Sequence, residues 1–192
     1  MNHFFALELP EEPRHSLTQL SHDWQALLTP EHKAKWYGPD DYHVTLKFLG
    51  DLPEARQPDL IAAAAPVAAA LAPFTVTLAP AGAFPGLHRP NVLWAGVAPS
   101  DTLADAAARL EAALAAAGFP REDRPYRPHI TIARCRPASG VGDWPVPSER
   151  LFPFWATARF VLMQTLPPDV RAKDGKPRYN TVQAFPFGDA QS

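Results

Sequence analysis

The order of predicted secondary structure in the first half of the chain returns in the second half. The predicted starts are residues 4 and 92 for a strand, 13 and 101 for a helix, 43 and 129 for a second strand, and 74 and 154 for a third. Self-similarity at a nearly fixed spacing is typical of a duplicated supersecondary unit. We therefore predict an α+β protein with two pseudo-symmetric lobes, each a mainly antiparallel sheet backed by helices, with a cleft between them.

The connections between these elements are rich in proline. The chain has 192 residues, and its 23 prolines are scattered between apolar segments rather than gathered in one run. That distribution favours rigid loops over a disordered linker, so we predict a single bilobal domain over residues 1–192, built from a duplicated unit of about 1–88 and 89–192. Periodicity and breakers predict strands at 4–10, 42–50, 74–80, 91–100 and 128–135, a longer strand within 152–166, and helices at 13–28, 58–71 and 100–118.

The second strand of each copy begins with the same kind of tetrapeptide, HVTL at 43–46 and HITI at 129–132. Successive side chains of a strand point to opposite faces, so His43 and Thr45 share one face while the aliphatic residues between them face the core. The same holds for His129 and Thr131. Residues two apart lie roughly 6.5–7 Å apart along a strand, a spacing suited to holding one oxyanion between imidazole and hydroxyl. Lys47 has the same parity and is predicted on the face of His43.

A pseudo-two-fold relation brings the two His-Thr pairs to opposite sides of the cleft. Such an arrangement suits in-line attack at phosphorus, because a neutral imidazole can take a proton from the attacking oxygen while a protonated one gives a proton to the leaving oxygen. The two hydroxyls can donate to the non-bridging oxygens, whose negative charge grows in the transition state. This chemistry needs no metal.

Other kinds of site and other functions have less support in the sequence. A single His-x-Thr-x strand is weak support for a site, since a half-buried histidine is usually structural, whereas two copies at equivalent places are far more specific. Zinc needs a third protein ligand, and the chain has one cysteine and neither HxH nor HExxH. It also lacks GxSxG, GxxxxGK[ST] and GxGxxG. We predict neither a metal nor another cofactor.

Composition limits the partners and the compartment. A net charge of −2 gives no global attraction to nucleic acid, so an RNA partner would need a local basic patch. Cys135 alone cannot form an internal disulfide, and the start of the chain lacks the features of a signal peptide. The longest apolar run, 61–72, is short and interrupted by proline. We therefore expect a cytoplasmic protein that makes no use of a membrane.

Five stretches of the chain resemble the 2H phosphoesterases, named for their paired His-x-Thr-x motifs. Within that superfamily they are most similar to the bacterial and archaeal RNA 2′,3′-cyclic phosphodiesterases, also called 2′-5′ RNA ligases. The stretches are FFALELP (4–10), YHVTLKFLGDL (42–52), GAFPGLHRPNVLWAGV (82–97), RPYRPHITIARCR (124–136) and GKPRYNTVQAFPF (175–187). The paired motif marks the superfamily, and the FP…RPNVLWAGV block points to this subgroup.

The resemblance implies metal-independent hydrolysis of a terminal 2′,3′-cyclic phosphate to a 2′-phosphate. It makes His43 the general acid for the departing 3′-oxygen and His129 the general base that activates water, with Thr45 and Thr131 on the phosphate oxygens. The reverse reaction, 2′-5′ ligation, uses the same groups. The partner it implies is an RNA end with a 2′,3′-cyclic phosphate, such as a tRNA fragment, and the protein is expected to be a monomer.

The resemblance also implies that Arg134 binds phosphate. Strict alternation puts Arg134 on the opposite face from His129 and Thr131, so either the strand ends or bulges after Ile132, or Arg134 lies at the rim of the core. Lys47 and Arg127 are further candidates for substrate binding. The candidate basic patch for an RNA backbone has two parts: Arg121, Arg124, Arg127, Arg134 and Arg136, and then Arg171, Lys173, Lys176 and Arg178.

Two other functions remain open at this point. The cleft could bind RNA ends without turnover, although a pure binder has no need of a matched acid-base pair. The same chemistry could instead act on a small cyclic nucleotide or an ADP-ribose cyclic phosphate.

Overall fold

A computed structural model of the chain describes residues 1–136, 143–147, 153–167 and 178–188. In these ranges the helices are α1 (Glu11–Leu27), α2 (Gln57–Ala69) and α3 (Asp101–Ala116). The strands are β1 (Asn2–Glu8), β2 (Ala34–Trp36), β3 (His43–Asp51), β4 (Phe74–Phe84), β5 (Val92–Val97), β6 (His129–Cys135), β7 (Phe154–Thr157), β8 (Arg159–Thr165) and β9 (Tyr179–Pro186). None of the helices in the described ranges is long and apolar enough to cross a membrane.

The strands form two antiparallel sheets. The first sheet has the order β3-β1-β8-β9, and the second has the order β2-β6-β5-β4-β7. Helix α2 contacts β8 and β9 of the first sheet, and α3 contacts α2 and β3. The predicted α+β class with two antiparallel sheets and helices is confirmed.

The two halves of the sequence exchange strands between the sheets. Strand β4 from the first half pairs with β5 and β7 in the second sheet, while β8 and β9 from the second half join β1 in the first sheet. The range 152–166, predicted to contain one longer strand, holds two, because the chain leaves the second sheet after Thr157 and enters the first at Arg159. The lobes do not coincide with residues 1–88 and 89–192, and origin by duplication stays a prediction.

One large cluster of buried hydrophobic residues joins the two sheets in the described part of the chain. Val44 and Leu46 of β3 and Ile130 and Ile132 of β6 are all buried in it, together with residues of all three helices. Burying each of these four side chains contributes about 1.5–3 kcal/mol. Since β3 and β6 also contact each other, the opposite faces of these two strands line the cleft where the sheets meet.

Both motif strands carry a β-bulge at the same place. In β3, Phe5 pairs with Lys47 and Ala6 with Thr45, so Leu46 is the extra residue. In β6, Leu93 pairs with Ala133 and Trp94 with Thr131, so Ile132 is the extra residue. The first six residues of the two strands have the same succession of partly exposed, buried and exposed side chains. Each bulge reverses the parity of the residues that follow it.

The bulge at Leu46 turns Lys47 away from the cleft. The Lys47 side chain is 4% exposed, and its Nζ lies 2.6 Å from the Glu111 carboxylate of α3 and donates to the Pro120 carbonyl at 2.9 Å. The prediction that Lys47 shares the face of His43 and binds substrate there is wrong, because alternation alone does not reveal a bulge. Lys47 instead anchors the segment that follows α3.

Removal of this buried ammonium is expected to cost stability. Lys47→Ala leaves the Glu111 carboxylate without its ion partner, and we expect the free energy of unfolding to fall by about 2–3 kcal/mol, somewhat less than for a fully buried pair because Glu111 is 25% exposed. Denaturant unfolding measures the change. Lys35→Ala, which removes an exposed side chain of β2, is the control and should change the free energy of unfolding by less than about 0.5 kcal/mol. Equal effects of the two substitutions would contradict the structural role of Lys47.

Candidate active site

The two His-Thr pairs lie on the cleft faces of the two sheets. His43 and Thr45 are partly exposed on β3, and His129 and Thr131 are partly exposed on β6, while the residues between them are buried. The two imidazoles are close enough for a charge on His129 to lower the pKa of His43. The structure therefore brings together the four residues that the tetrapeptides predict.

Each imidazole is oriented by the backbone carbonyl two residues before it. His43 Nδ1 lies 2.8 Å from the Asp41 carbonyl oxygen, and His129 Nδ1 lies 2.7 Å from the Arg127 carbonyl oxygen. A carbonyl oxygen only accepts, so Nδ1 must carry the proton and donate it in both rings. Nε2 is then the atom of each ring that can exchange a proton with a substrate.

Aromatic rings hold the imidazole of His43 from two sides. The Phe4 ring stacks on it with centroids 4.8 Å apart, and the Tyr179 ring meets it edge-on at 4.9 Å. Phe4 and Tyr179 also contact each other edge-on at 5.0 Å. This packing restricts the ring to one orientation and shields it from water.

The imidazole of His129 has a similar support on the second sheet. Phe84 meets it edge-on at 5.0 Å, and Trp94 lies 6.4 Å away. Trp94 pairs across the strands with Gly82, and its ring lies so close that a Cβ at Gly82 would be 2.5 Å from it. Only glycine leaves room for the indole there.

Burial lowers the pKa of both histidines. Loss of solvent lowers the pKa of His43 to about 4, although the hydrogen bond to the Asp41 carbonyl and the Asp41 charge act in the opposite direction. Loss of solvent also lowers the pKa of His129, against the hydrogen bond to Arg127, and the positive charge of Arg134 lowers it further. Both imidazoles are therefore neutral near pH 7 when the cleft holds no anion.

Arg134 lies on the same side of β6 as His129. The bulge at Ile132 restores its parity with His129 and Thr131, and the guanidinium is exposed and close enough to affect the pKa of His129. Its Nε donates to the hydroxyl of Tyr37 at 3.1 Å. The sequence left open whether the strand ends or bulges near Ile132 or whether Arg134 lies at the rim of the core; the structure shows a β-bulge at Ile132.

The remaining basic residues have mixed surroundings. Arg127 is exposed, and its carbonyl rather than its side chain contacts His129, so substrate binding by the guanidinium stays a prediction. Arg124 forms an exposed ion pair with Glu122. Arg178 is mostly buried against Asp41 and is not an open phosphate contact. The predicted patch members Arg171, Lys173 and Lys176 lie outside the described residues.

Within the described ranges, no group of three or more His, Cys, Asp or Glu side chains is placed to hold a metal ion. The titratable residues in contact with the motif residues or with Arg134 include Asp41, Tyr37, Tyr126 and Tyr179. The site can therefore supply two proton-transfer groups, two hydroxyls and one guanidinium to a bound phosphate.

The contacts that support these groups have little signal in the sequence. Phe4, Tyr37, Asp41, Arg178 and Tyr179 all touch a site residue or its immediate neighbour. The exception is the carbonyl two residues before each histidine, because both copies of the motif place it in the same way. The others come from distant parts of the chain.

When an oxyanion binds in the cleft, the protein should take up a proton. Sulfate does not titrate between pH 5 and 8, so any pH dependence of its binding belongs to the protein. Because an imidazolium attracts sulfate and a neutral imidazole does not, we expect the affinity to rise as the pH falls from 8 to 5, by at most about tenfold per pH unit for each proton taken up. Calorimetric titration measures this slope.

The slope should decrease in His43→Ala and in His129→Ala. His22→Ala, which removes an exposed histidine on α1, is the control and should keep the wild-type slope. A sulfate affinity that does not change with pH would contradict the assignment of the imidazoles to the anion.

Comparison with known proteins gives consistent matches over most of the chain. A model of the 2′-5′ RNA ligase superfamily matches residues 10–143. A curated relative from Geobacillus stearothermophilus, named RNA 2′,3′-cyclic phosphodiesterase, is 32% identical over 186 residues, which are 97% of this chain and 57% of the relative. The chain thus spans little more than half the length of that relative.

Two solved structures share the fold. A protein of Thermus thermophilus has a TM-score of 0.79 and 29% sequence identity, with 100% of both chains covered. LigT of Escherichia coli, crystallised with 3′-AMP, has a TM-score of 0.74 and 28% identity, with 97% of both chains covered.

Proposed function

The chain belongs to the 2′-5′ RNA ligase superfamily, as its resemblance predicts, and from this premise we propose that it hydrolyses RNA terminal 2′,3′-cyclic phosphates to 2′-phosphates. The observation that carries the proposal is the matched pair of imidazoles, each with Nδ1 bonded to a carbonyl and Nε2 available to a substrate. The relative from Geobacillus stearothermophilus carries the name of this activity. LigT bound to 3′-AMP further supports a nucleotide 3′ end as the group held in the cleft.

The reaction needs one proton taken up and one given. Nε2 of neutral His129 accepts a proton from water while the water oxygen forms a bond to phosphorus. The bond between phosphorus and the ribose 3′-oxygen breaks, and Nε2 of protonated His43 gives its proton to that oxygen. The products are a free 3′-hydroxyl and a 2′-phosphate, and the pair of histidines returns to its starting state after exchanging one proton with water.

The hydroxyls and the guanidinium stabilise the negative charge that develops on the non-bridging oxygens of the phosphate. Thr45 and Thr131 lie on the same faces as the histidines, so each can donate to a non-bridging oxygen. Arg134 adds a fixed positive charge and planar donors suited to phosphate. The reverse reaction with a 5′-hydroxyl in place of water gives a 2′-5′ linkage by the same proton transfers.

The charges around the two rings favour His43 as the acid. The Asp41 carboxylate raises the pKa of His43, whereas the Arg134 guanidinium lowers the pKa of His129. A substrate that covers both rings removes water from each, which makes their loss of solvent more equal. The electrostatic difference between the two rings then favours a proton on His43 and a lone pair on His129.

The bound phosphate also supplies what the free protein lacks. With both pKa values lowered, the free protein near neutral pH has few molecules with the required single proton. The negative charge of the cyclic phosphate raises the pKa of both imidazoles and so draws a proton into the site. Substrate binding and formation of the active protonation state are therefore coupled.

A short RNA with a 2′,3′-cyclic phosphate end tests the proposal directly. The full chain in excess EDTA is expected to convert it to the 2′-phosphate, which mass spectrometry detects. His43→Ala and His129→Ala should each lower the rate by about 10²- to 10⁴-fold. His22→Ala, on the exposed face of α1, should retain the wild-type rate.

Three outcomes would count against the proposal. Tight binding of the RNA end without turnover would favour an RNA-end-binding module, and loss of turnover in EDTA would contradict the metal-independent mechanism. Faster turnover of 2′,3′-cyclic nucleotides or ADP-ribose cyclic phosphate than of the RNA would assign the same chemistry to a small substrate.

A further inference from the structure

We propose that Arg178 is a positioning residue that joins the two halves of the site, because it orients His43 through Asp41 and Arg134 through Tyr37. This inference rests on the proposed function. Arg178 comes just before β9, far from both motifs in the sequence, and its side chain contacts Asp41 and Tyr37.

The first branch runs from Arg178 to the histidine of the first sheet. The Asp41 carboxylate accepts from the backbone N–H of Arg178 at 2.7 Å and from its Nε at 3.1 Å. The carbonyl of the same aspartate accepts from Nδ1 of His43 at 2.8 Å. Any movement of Asp41 therefore moves the hydrogen bond that fixes the tautomer and the angle of the His43 ring.

The second branch runs from Arg178 to the guanidinium of the second sheet. The Arg178 guanidinium lies over the Tyr37 ring, 4.2 Å from its centroid. The hydroxyl of Tyr37 accepts from Nε of Arg134 at 3.1 Å. Tyr37 is buried beside Ile132, whose carbonyl accepts from the Tyr37 backbone N–H at 2.9 Å, so the ring is fixed where both guanidinium groups meet it.

The Arg178–Asp41 ion pair is unusually well shielded. The exposed fractions of the two side chains are 18% and 11%, whereas the pair Arg109–Asp105 on α3 has 51% and 49%. Among the described residues, only the Lys47–Glu111 pair is comparably buried. A shielded ion pair that keeps its hydrogen bonds resists rearrangement, while an exposed one is screened and contributes little.

The main chain of Arg178 also helps to position Tyr179, the residue that packs against His43. Its carbonyl accepts from the Leu166 N–H at 2.8 Å, which ties the start of β9 to the end of β8. The next residue, Tyr179, packs edge-on against His43, and burial raises the pKa of its phenol. Arg178 therefore fixes both the carbonyl that orients His43 and the ring that packs on it.

Three substitutions separate the two branches. Asp41→Asn removes the charge that pairs with Arg178, and it should lower kcat for the cyclic-phosphate RNA by a larger factor than it weakens sulfate binding. Tyr37→Phe removes the hydroxyl that accepts from Arg134 but keeps the ring under Arg178. It should weaken sulfate binding and raise KM more than it lowers kcat. Arg178→Ala should do both, with a loss in kcat of up to about 100-fold, the size expected for a misplaced reacting group.

A double-substitution comparison distinguishes positioning from independent effects. Arg178→Ala with Asp41→Asn should be no slower than Arg178→Ala alone, because both act on the same contact. Arg109→Ala breaks an exposed ion pair of the same chemistry and should leave kcat unchanged. Effects of Arg178→Ala and Asp41→Asn that multiply, or a wild-type kcat in Arg178→Ala, would overturn the proposal.

A spectroscopic measurement keeps the test independent of turnover. In ¹⁵N NMR at pH 7 the wild-type His43 ring should show one tautomer with the proton on Nδ1, and Arg178→Ala should show averaging of the two tautomers. An unchanged His43 signal in that variant would overturn the proposal even if the protein proves inactive on RNA, whereas an inactive wild type with the predicted signals would overturn the proposed function alone. If Arg178→Ala does not fold, Arg178→Lys and Asp41→Asn serve for the same signals.

Discussion

The burial of four aliphatic side chains in one shared core determines the direction of both His-Thr pairs. Val44 and Leu46 belong to the first sheet, Ile130 and Ile132 belong to the second, and all four lie in the same core. Because side chains alternate along a strand, their burial directs the histidines and threonines between them to the opposite side, where the sheets meet. A slip of one residue in either strand would bury a His-Thr pair, so the core and the site depend on one register.

The backbone of the site is nearly symmetric, but its charges are not. Both histidines bond to a carbonyl at i−2, and both motif strands bulge at the residue after the threonine. The bulge then exposes Phe48 in one strand and Arg134 in the other, while Asp41 lies beside the first histidine only. A nearly symmetric scaffold thus has different charges beside its two histidines, from a few unmatched residues.

The sequence was sufficient to predict the features that repeat locally, and it failed where the contacts are remote or irregular. Alternation within HVTL and HITI predicts the faces of four site residues, and repetition predicts two antiparallel sheets. Alternation also puts Lys47 in the cleft, wrongly, because nothing in one sequence marks a bulge. The Asp41–Arg178 pair joins residues 137 positions apart, and the exchange of β4 and β8 between sheets depends on tertiary packing. Neither has a local periodic signal.

The dependence of the reaction rate on pH tests the two-histidine account most directly. Because the proposed reaction uses one proton shared between two imidazoles, kcat and kcat/KM for a cyclic-phosphate RNA should both be bell-shaped. Since the lowered pKa values belong to the free protein and a bound phosphate raises them, the optimum of kcat should lie at higher pH than that of kcat/KM. A rate that is flat between pH 5 and 9 would contradict the account.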